Sequence, residues 1–148
     1  MTKLPSCLLP LALLILMGGD KPDQLSVATA PPVVVRTVPQ AGADNVDPSL
    51  TEIKVTFSKD MTDGTWSWST ASPDTNPQIT GRPHYLADER TCVLPVKLKP
   101  GKTYAFWLNS ENFGNFRDAG GRSAVPYLLI FETDSAPTQN SAGQTSSE

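Results

Sequence analysis

A single histidine, His84, and two cysteines, Cys7 and Cys92, leave this sequence almost without the side chains on which hydrolytic, redox and zinc chemistry are built. A zinc site takes three or four His, Cys or carboxylate ligands, and one histidine with one cysteine does not supply them. A Cys92–His84 dyad has none of the Gly-rich or helix-N-terminal context that lowers a thiol pKa. No catalytic, cofactor-binding or metal-ligating residue is assigned, and the chain reads as a non-enzyme. Clustered positive charge is missing too. Lys and Arg number 12 against 15 Asp and Glu and stand singly, which argues against nucleic acid as a partner. Beyond residue 30 no apolar spacing of three or four argues for a helix, and no segment is apolar for the roughly 20 residues that span a bilayer.

The apolar run that does exist lies at the start. Lys3 precedes Leu8 to Met17, and Gly18-Gly19-Asp20 ends the run, the arrangement of a secretory signal. Residues 1–30 are read as signal peptide and leader, cleaved between 19 and 30, and as the chain's one contact with a membrane. The protein is then exported, to the periplasm or the extracellular space. Cys7 leaves with the signal, and Cys92 stands alone. In "TCVLPVKL", Cys92, Leu94, Val96 and Leu98 share one strand face, where a free thiol acts as a small hydrophobe. At the other end, "DSAPTQNSAGQTSSE" has too little apolar surface to offset its ordering entropy, so 135–148 reads as a disordered tail.

Between these ends, fourteen prolines and ten glycines punctuate short β-branched and aromatic runs, the pattern of many turns and strands. "PPVVV" reads as a first strand. "TEIKVTF" places Ile53, Val55 and Phe57 on one face and Lys54 and Thr56 on the other, a half-buried antiparallel strand. "GTWSWST" repeats that period. "HYLADERTCVLPVKL" reads as two short strands about the turn 87–90, with Pro95 restricted to an edge or a bulge. "KTYAFWLN" and "YLLIFET" follow. About seven strands within 31–134 describe an all-β Greek-key sandwich of Ig-like type. "LKPGKTY" supports it: Pro100-Gly101 reverses the chain, and Tyr104 opens the penultimate strand where a tyrosine corner returns its hydroxyl to upstream backbone.

The succession of "PPVVVRTVPQAGADNVDP" (31–48), "IKVTFSKDM" (53–61), "LKPGKTY" (98–104), "RDAGG" (117–121) and "FET" (131–133) resembles the bacterial Ig-like domains of the S-layer-protein type. The resemblance implies a seven-stranded sandwich in an exported, non-catalytic module with a structural or protein-interaction role at the cell envelope. The partner it implies is another envelope or secreted protein. The long insertion "ENFGNFRDAGGRSAVPY" departs from the commoner pattern.

Candidate binding residues are the aromatics. Trp66 and Trp68 read either as the sandwich core or as a stacking platform, and Trp107 shares its face with Ala105 and Asn109, opposite Tyr104. Phe113 and Phe116 sit in a mixed loop that either plugs one end of the sandwich or offers a contact surface. On these five residues the alternative is a carbohydrate-binding or envelope-ligand module. Asp44, Asn45 and Asp47, with Asp60 and Asp63, offer the oxygen ligands that calcium takes, but without a regular D-x-D-x-D loop they read as turn formers.

Overall fold

The computed structural model describes residues 24–135, in which the strands are β1 (Val34–Val38), β2 (Glu52–Phe57), β3 (Trp68–Thr70), β4 (Gln78–Ile79), β5 (His84–Tyr85), β6 (Thr91–Lys97), β7 (Thr103–Leu108) and β8 (Tyr127–Glu132). Most of the signal reading, Cys7 and residues 136–148 lie outside the described residues. Residues 24–30, part of a separate unit, form a turn in which Ser26 O accepts from the Ala30 amide at 2.8 Å.

Two antiparallel sheets make the sandwich. One runs β1-β2-β6-β4, with β5 also paired to β6, and the other runs β3-β7-β8. The seven strands of an Ig sandwich become eight because the fourth is broken into β4 and β5, both on the same side of β6. Pro95 explains the break, and of the two positions open to it, an edge or a bulge, it takes the bulge: residues 80–83 stand opposite 94–95, and the register shifts across them. It lies in central β6 opposite Glu52 of β2, its carbonyl accepts from Thr80 N at 3.0 Å, and its missing N–H faces that same side, where residues 80–83 loop away. Gly81 lies over the proline ring, where a Cβ would come within 3.2 Å of Pro95 Cγ.

Alternation fills the core as the pattern predicts. Ile53, Val55 and Phe57 of β2, Cys92, Leu94 and Val96 of β6, Tyr104, Phe106 and Leu108 of β7, and Leu129 and Phe131 of β8 are all buried in one cluster. Each large apolar side chain removed from water contributes roughly 1.5 to 3 kcal/mol.

The corner at the start of β7 is closed as the turn chemistry requires. Gly101 takes φ +62°, a left-handed value glycine reaches without steric cost. Tyr104 is 1% exposed, and its hydroxyl accepts from the Lys99 amide at 2.7 Å. Thr133 adds a second lock: its hydroxyl donates to Lys99 O at 2.7 Å and accepts from Lys102 N at 2.9 Å. Tyr104→Phe keeps the ring and strands the Lys99 N–H, so urea denaturation is expected to show a loss of about 1 to 3 kcal/mol. A midpoint unchanged within error would remove the corner from the list of things that hold this fold.

Candidate functional site

Consecutive strand residues point to opposite faces, so a groove lined by Trp66, Ser67, Trp68, Ser69 and Thr70 together runs along the edge of β3 rather than over one of its faces. Its volume is about 1030 Å³. Ile79 of β4 and Leu94 of β6 line it from the other sheet, and the loop after β7 contributes Glu111, Asn112, Phe113 and Asn115. Four of the five aromatics singled out in the sequence therefore meet in one place: Trp66, Trp68, Trp107 and Phe113.

The fifth does not. Phe116 is 0% exposed, with its ring centroid 5.0 Å from Phe57 and 5.6 Å from Trp68, the latter edge-on. It is core, and its place among binding residues is corrected on that ground, because a ligand cannot touch it. Phe113, three residues earlier, is 56% exposed at the rim. The loop thus does both things open to it, plugging the sandwich with one phenylalanine and presenting the other.

The tryptophans divide their surface in a similar way. Trp68 packs on Phe106 at 5.5 Å and on Phe116, yet stays half-buried and lines the groove. Trp66, just before β3, carries the Arg82 guanidinium 5.3 Å from its ring centroid, a cation–π contact that orients the indole. Trp107 lies opposite Ser69 on β3 and Leu128 on β8, turned away from the Tyr104 face.

What shapes the loop is Asn109, a residue the sequence reading did not single out. At φ +55° it ends β7 and turns a fully buried carboxamide under the loop. Nδ2 donates to Phe116 O at 3.1 Å and Ala124 O at 2.9 Å, while Oδ1 accepts from Phe116 N at 2.9 Å. The one sequence signal was an asparagine at a strand end, the residue type that best tolerates this backbone region after glycine.

Further along, Asp118 closes a turn by accepting from Arg122 N and Arg122 Nε, each at 2.9 Å, with Lys59 Nζ 3.6 Å away. Burial pushes its carboxyl up, but the Arg122 hydrogen bonds and the charges of Arg122 and Lys59 outweigh this and hold it below the usual aspartate range. Thr62 ties that turn to the rest of the sandwich, its amide donating to Arg117 O at 2.8 Å.

Thiol chemistry finds no assembled base. Tyr85 pairs with Cys92 while His84 pairs with Val93, so the histidine and the thiol project from opposite faces of the sheet. Burial, reinforced by the Asp63 charge, pushes the Cys92 thiol up to about 12. Nearby, the Trp68 indole N–H has no acceptor in hydrogen-bonding geometry, so its favourable influence on the thiolate is minor beside burial. Of the acidic loop residues, Asp47 and Asp63 act as turn formers, Asp47 Oδ1 accepting from Ser49 N at 2.8 Å and Asp63 Oδ1 from Gly64 N at 2.7 Å, while Asp60 Oδ1 accepts from Arg90 Nε at 2.6 Å.

Comparison with known proteins places this architecture. No curated protein matches the chain in sequence. The crystal structure of the S-layer protein rSbsC(31-844) is similar to 72% of this chain, at 18% identity and a TM-score of 0.48, and the chain spans 14% of that protein's length. The Bacterial Ig-like domain family matches residues 28–133, which include every strand of both sheets. The chain belongs to the bacterial Ig-like domain family.

Proposed function

We propose that this chain is an exported, non-catalytic Ig-like module, residues 31–134 behind a leader of 1–30, that engages another envelope or secreted protein through the β3 groove. The observation that carries the reading is the convergence of Trp66, Trp68, Trp107 and Phe113 on one groove at a sheet edge. Aromatic side chains supply large contact area at low conformational cost and dominate the energetics of protein contacts. The buried thiol, pushed away from the thiolate, and the histidine on the opposite face support a role without covalent chemistry.

Crosslinking and pull-down from native envelope provide the test, with a Trp107→Ala/Phe113→Ala double variant as the comparison. Both side chains lie at the groove, and neither belongs to the buried cluster. The variant is expected to keep its β circular dichroism and to lose the captured partner. Equal capture by both proteins would place the contact elsewhere.

A second reading, a carbohydrate or other envelope ligand, draws on the Asn112 and Asn115 amides and the Ser110 hydroxyl among the rings. A tryptophan fluorescence shift on titration with peptidoglycan fragments or polysaccharide, lost in the same double variant, would favour it over a protein partner.

A further inference from the structure

The two edges of the β3-β7-β8 sheet are treated differently by the rest of the chain. Outside β8, residues 42–46 run alongside and pair with it through Gly42 N to Ile130 O at 2.7 Å, Glu132 N to Ala43 O at 2.8 Å and Val46 N to Glu132 O at 3.0 Å. That edge is covered. At the other edge, Asn109 N donates to Ser67 O at 3.1 Å and Ser69 stands opposite Trp107, so Ser67 and Ser69 turn their backbone groups toward β7. In an antiparallel ladder the alternate residues then face outward, and these are Trp68 and Thr70. Among the described residues, neither makes a backbone hydrogen bond on that side.

The groove occupies the space into which those groups point, since it is lined by all of Trp66 to Thr70. Of the devices that blunt sheet edges, β3 has only its shortness, three residues, and carries no charge, proline or bulge. Glu111 is the single charged residue among those lining the groove.

We infer that the β3 edge receives an extended segment of a partner polypeptide, added antiparallel or parallel as a fourth strand, with apolar side chains at alternate positions and a lysine or arginine placed to meet Glu111. This rests on the groove being the contact surface, and it names the partner's chemistry. The backbone of the added strand pairs with Trp68 and Thr70. Its alternate side chains reach the aromatic rings on one face, the division of labour found wherever a peptide extends a sheet. The carboxylate selects the charge of the segment more than it adds affinity.

The test uses the purified chain, a displayed library of random dodecapeptides, and amide hydrogen exchange read by NMR. In the free chain the Trp68 and Thr70 amides should exchange rapidly while that of Ser69 is protected. Enriched peptides should alternate apolar residues and carry a basic one. Binding them should protect both outward amides, N-methylation of the facing peptide amides should weaken binding about tenfold, and Glu111→Gln should weaken it about threefold and flatten its salt dependence.

Peptide binding that leaves Trp68 and Thr70 unprotected would overturn strand addition while leaving the groove as a contact surface. A library with no enriched peptide would overturn it as well. Outward amides already protected in the free chain, with a dimer in sedimentation, would mean that a second copy occupies the edge. Loss of the groove reading itself would show separately, as envelope capture unaffected by Trp107→Ala/Phe113→Ala.

Discussion

Phe116→Ala is expected to cost about 3 to 5 kcal/mol, the range for removing a buried aromatic side chain and leaving the cavity behind. The ring is wholly buried between Phe57 and Trp68, 5.0 and 5.6 Å from theirs. Its amide and carbonyl are both bonded, so the backbone around it is in no position to collapse into the space: Phe116 N donates to Asn109 Oδ1 at 2.9 Å, and Phe116 O accepts from Ala124 N at 2.8 Å. Phe116→Leu should recover more than half of the loss, because it refills most of the volume. Phe113→Ala, at the rim, should fall within about 0.5 kcal/mol of wild type, as surface changes usually do. Urea denaturation of the three variants separates plug from rim. If Phe116→Ala and Phe113→Ala shifted the midpoint equally, the loop would not be anchored in the core at all.

That contrast between two phenylalanines three residues apart also shows where local pattern stops being informative. In β2 the period of two was enough, since every second residue faces the same way and Ile53, Val55 and Phe57 had to share one environment. The corner was legible for a different reason. Pro100-Gly101 and Tyr104 act within five residues, and the bond they predict, Lys99 N to the Tyr104 hydroxyl, closes the six-residue stretch 99–104. The loop from Ser110 to Val125 has no period, so nothing local distinguishes Phe113 from Phe116. The difference is made by Asn109 and Ala124, which reach Phe116 from either end of the loop.

Pro95 was legible only as a choice between an edge and a bulge, and the pairing takes the bulge. The rule that a proline avoids central strands assumes that both sides of the strand are paired throughout, whereas β6 has its partner interrupted at residues 80–83 on the side the proline faces. The groove was legible as a set of residue types but not as a place. Trp66, Trp68, Trp107 and Phe113 were each identifiable as aromatics with an undecided environment. Bringing them together required knowing that β3 pairs with β7 and ends its sheet, a fact of strand order that no short-range signal carries.

Asn109→Ala should be the most damaging polar substitution, with a loss of about 3 kcal/mol or more, since a buried donor or acceptor left unpaired costs roughly 1 to 3 kcal/mol. Two such groups are orphaned together, the Phe116 N–H and the Ala124 carbonyl, while the Phe116 carbonyl loses the Asn109 Nδ2 donor but keeps the Ala124 N–H. A second contribution is conformational. At φ +55° an alanine is strained where asparagine is tolerated and glycine is free. Asn109→Gly loses the same three hydrogen bonds without the strain, so it should be more stable than Asn109→Ala by about 1 kcal/mol while still well below wild type. The two effects therefore separate in one comparison, wild type to Gly for the hydrogen bonds and Gly to Ala for the backbone. Trp68, whose ring meets Phe116 edge-on, supplies the local readout: its fluorescence should shift in both variants before global unfolding, as the loop loosens from the groove. Equal stabilities for Asn109→Ala and Asn109→Gly would contradict the left-handed turn at the end of β7, and wild-type stability in both would mean that the groove loop is held by something other than this carboxamide.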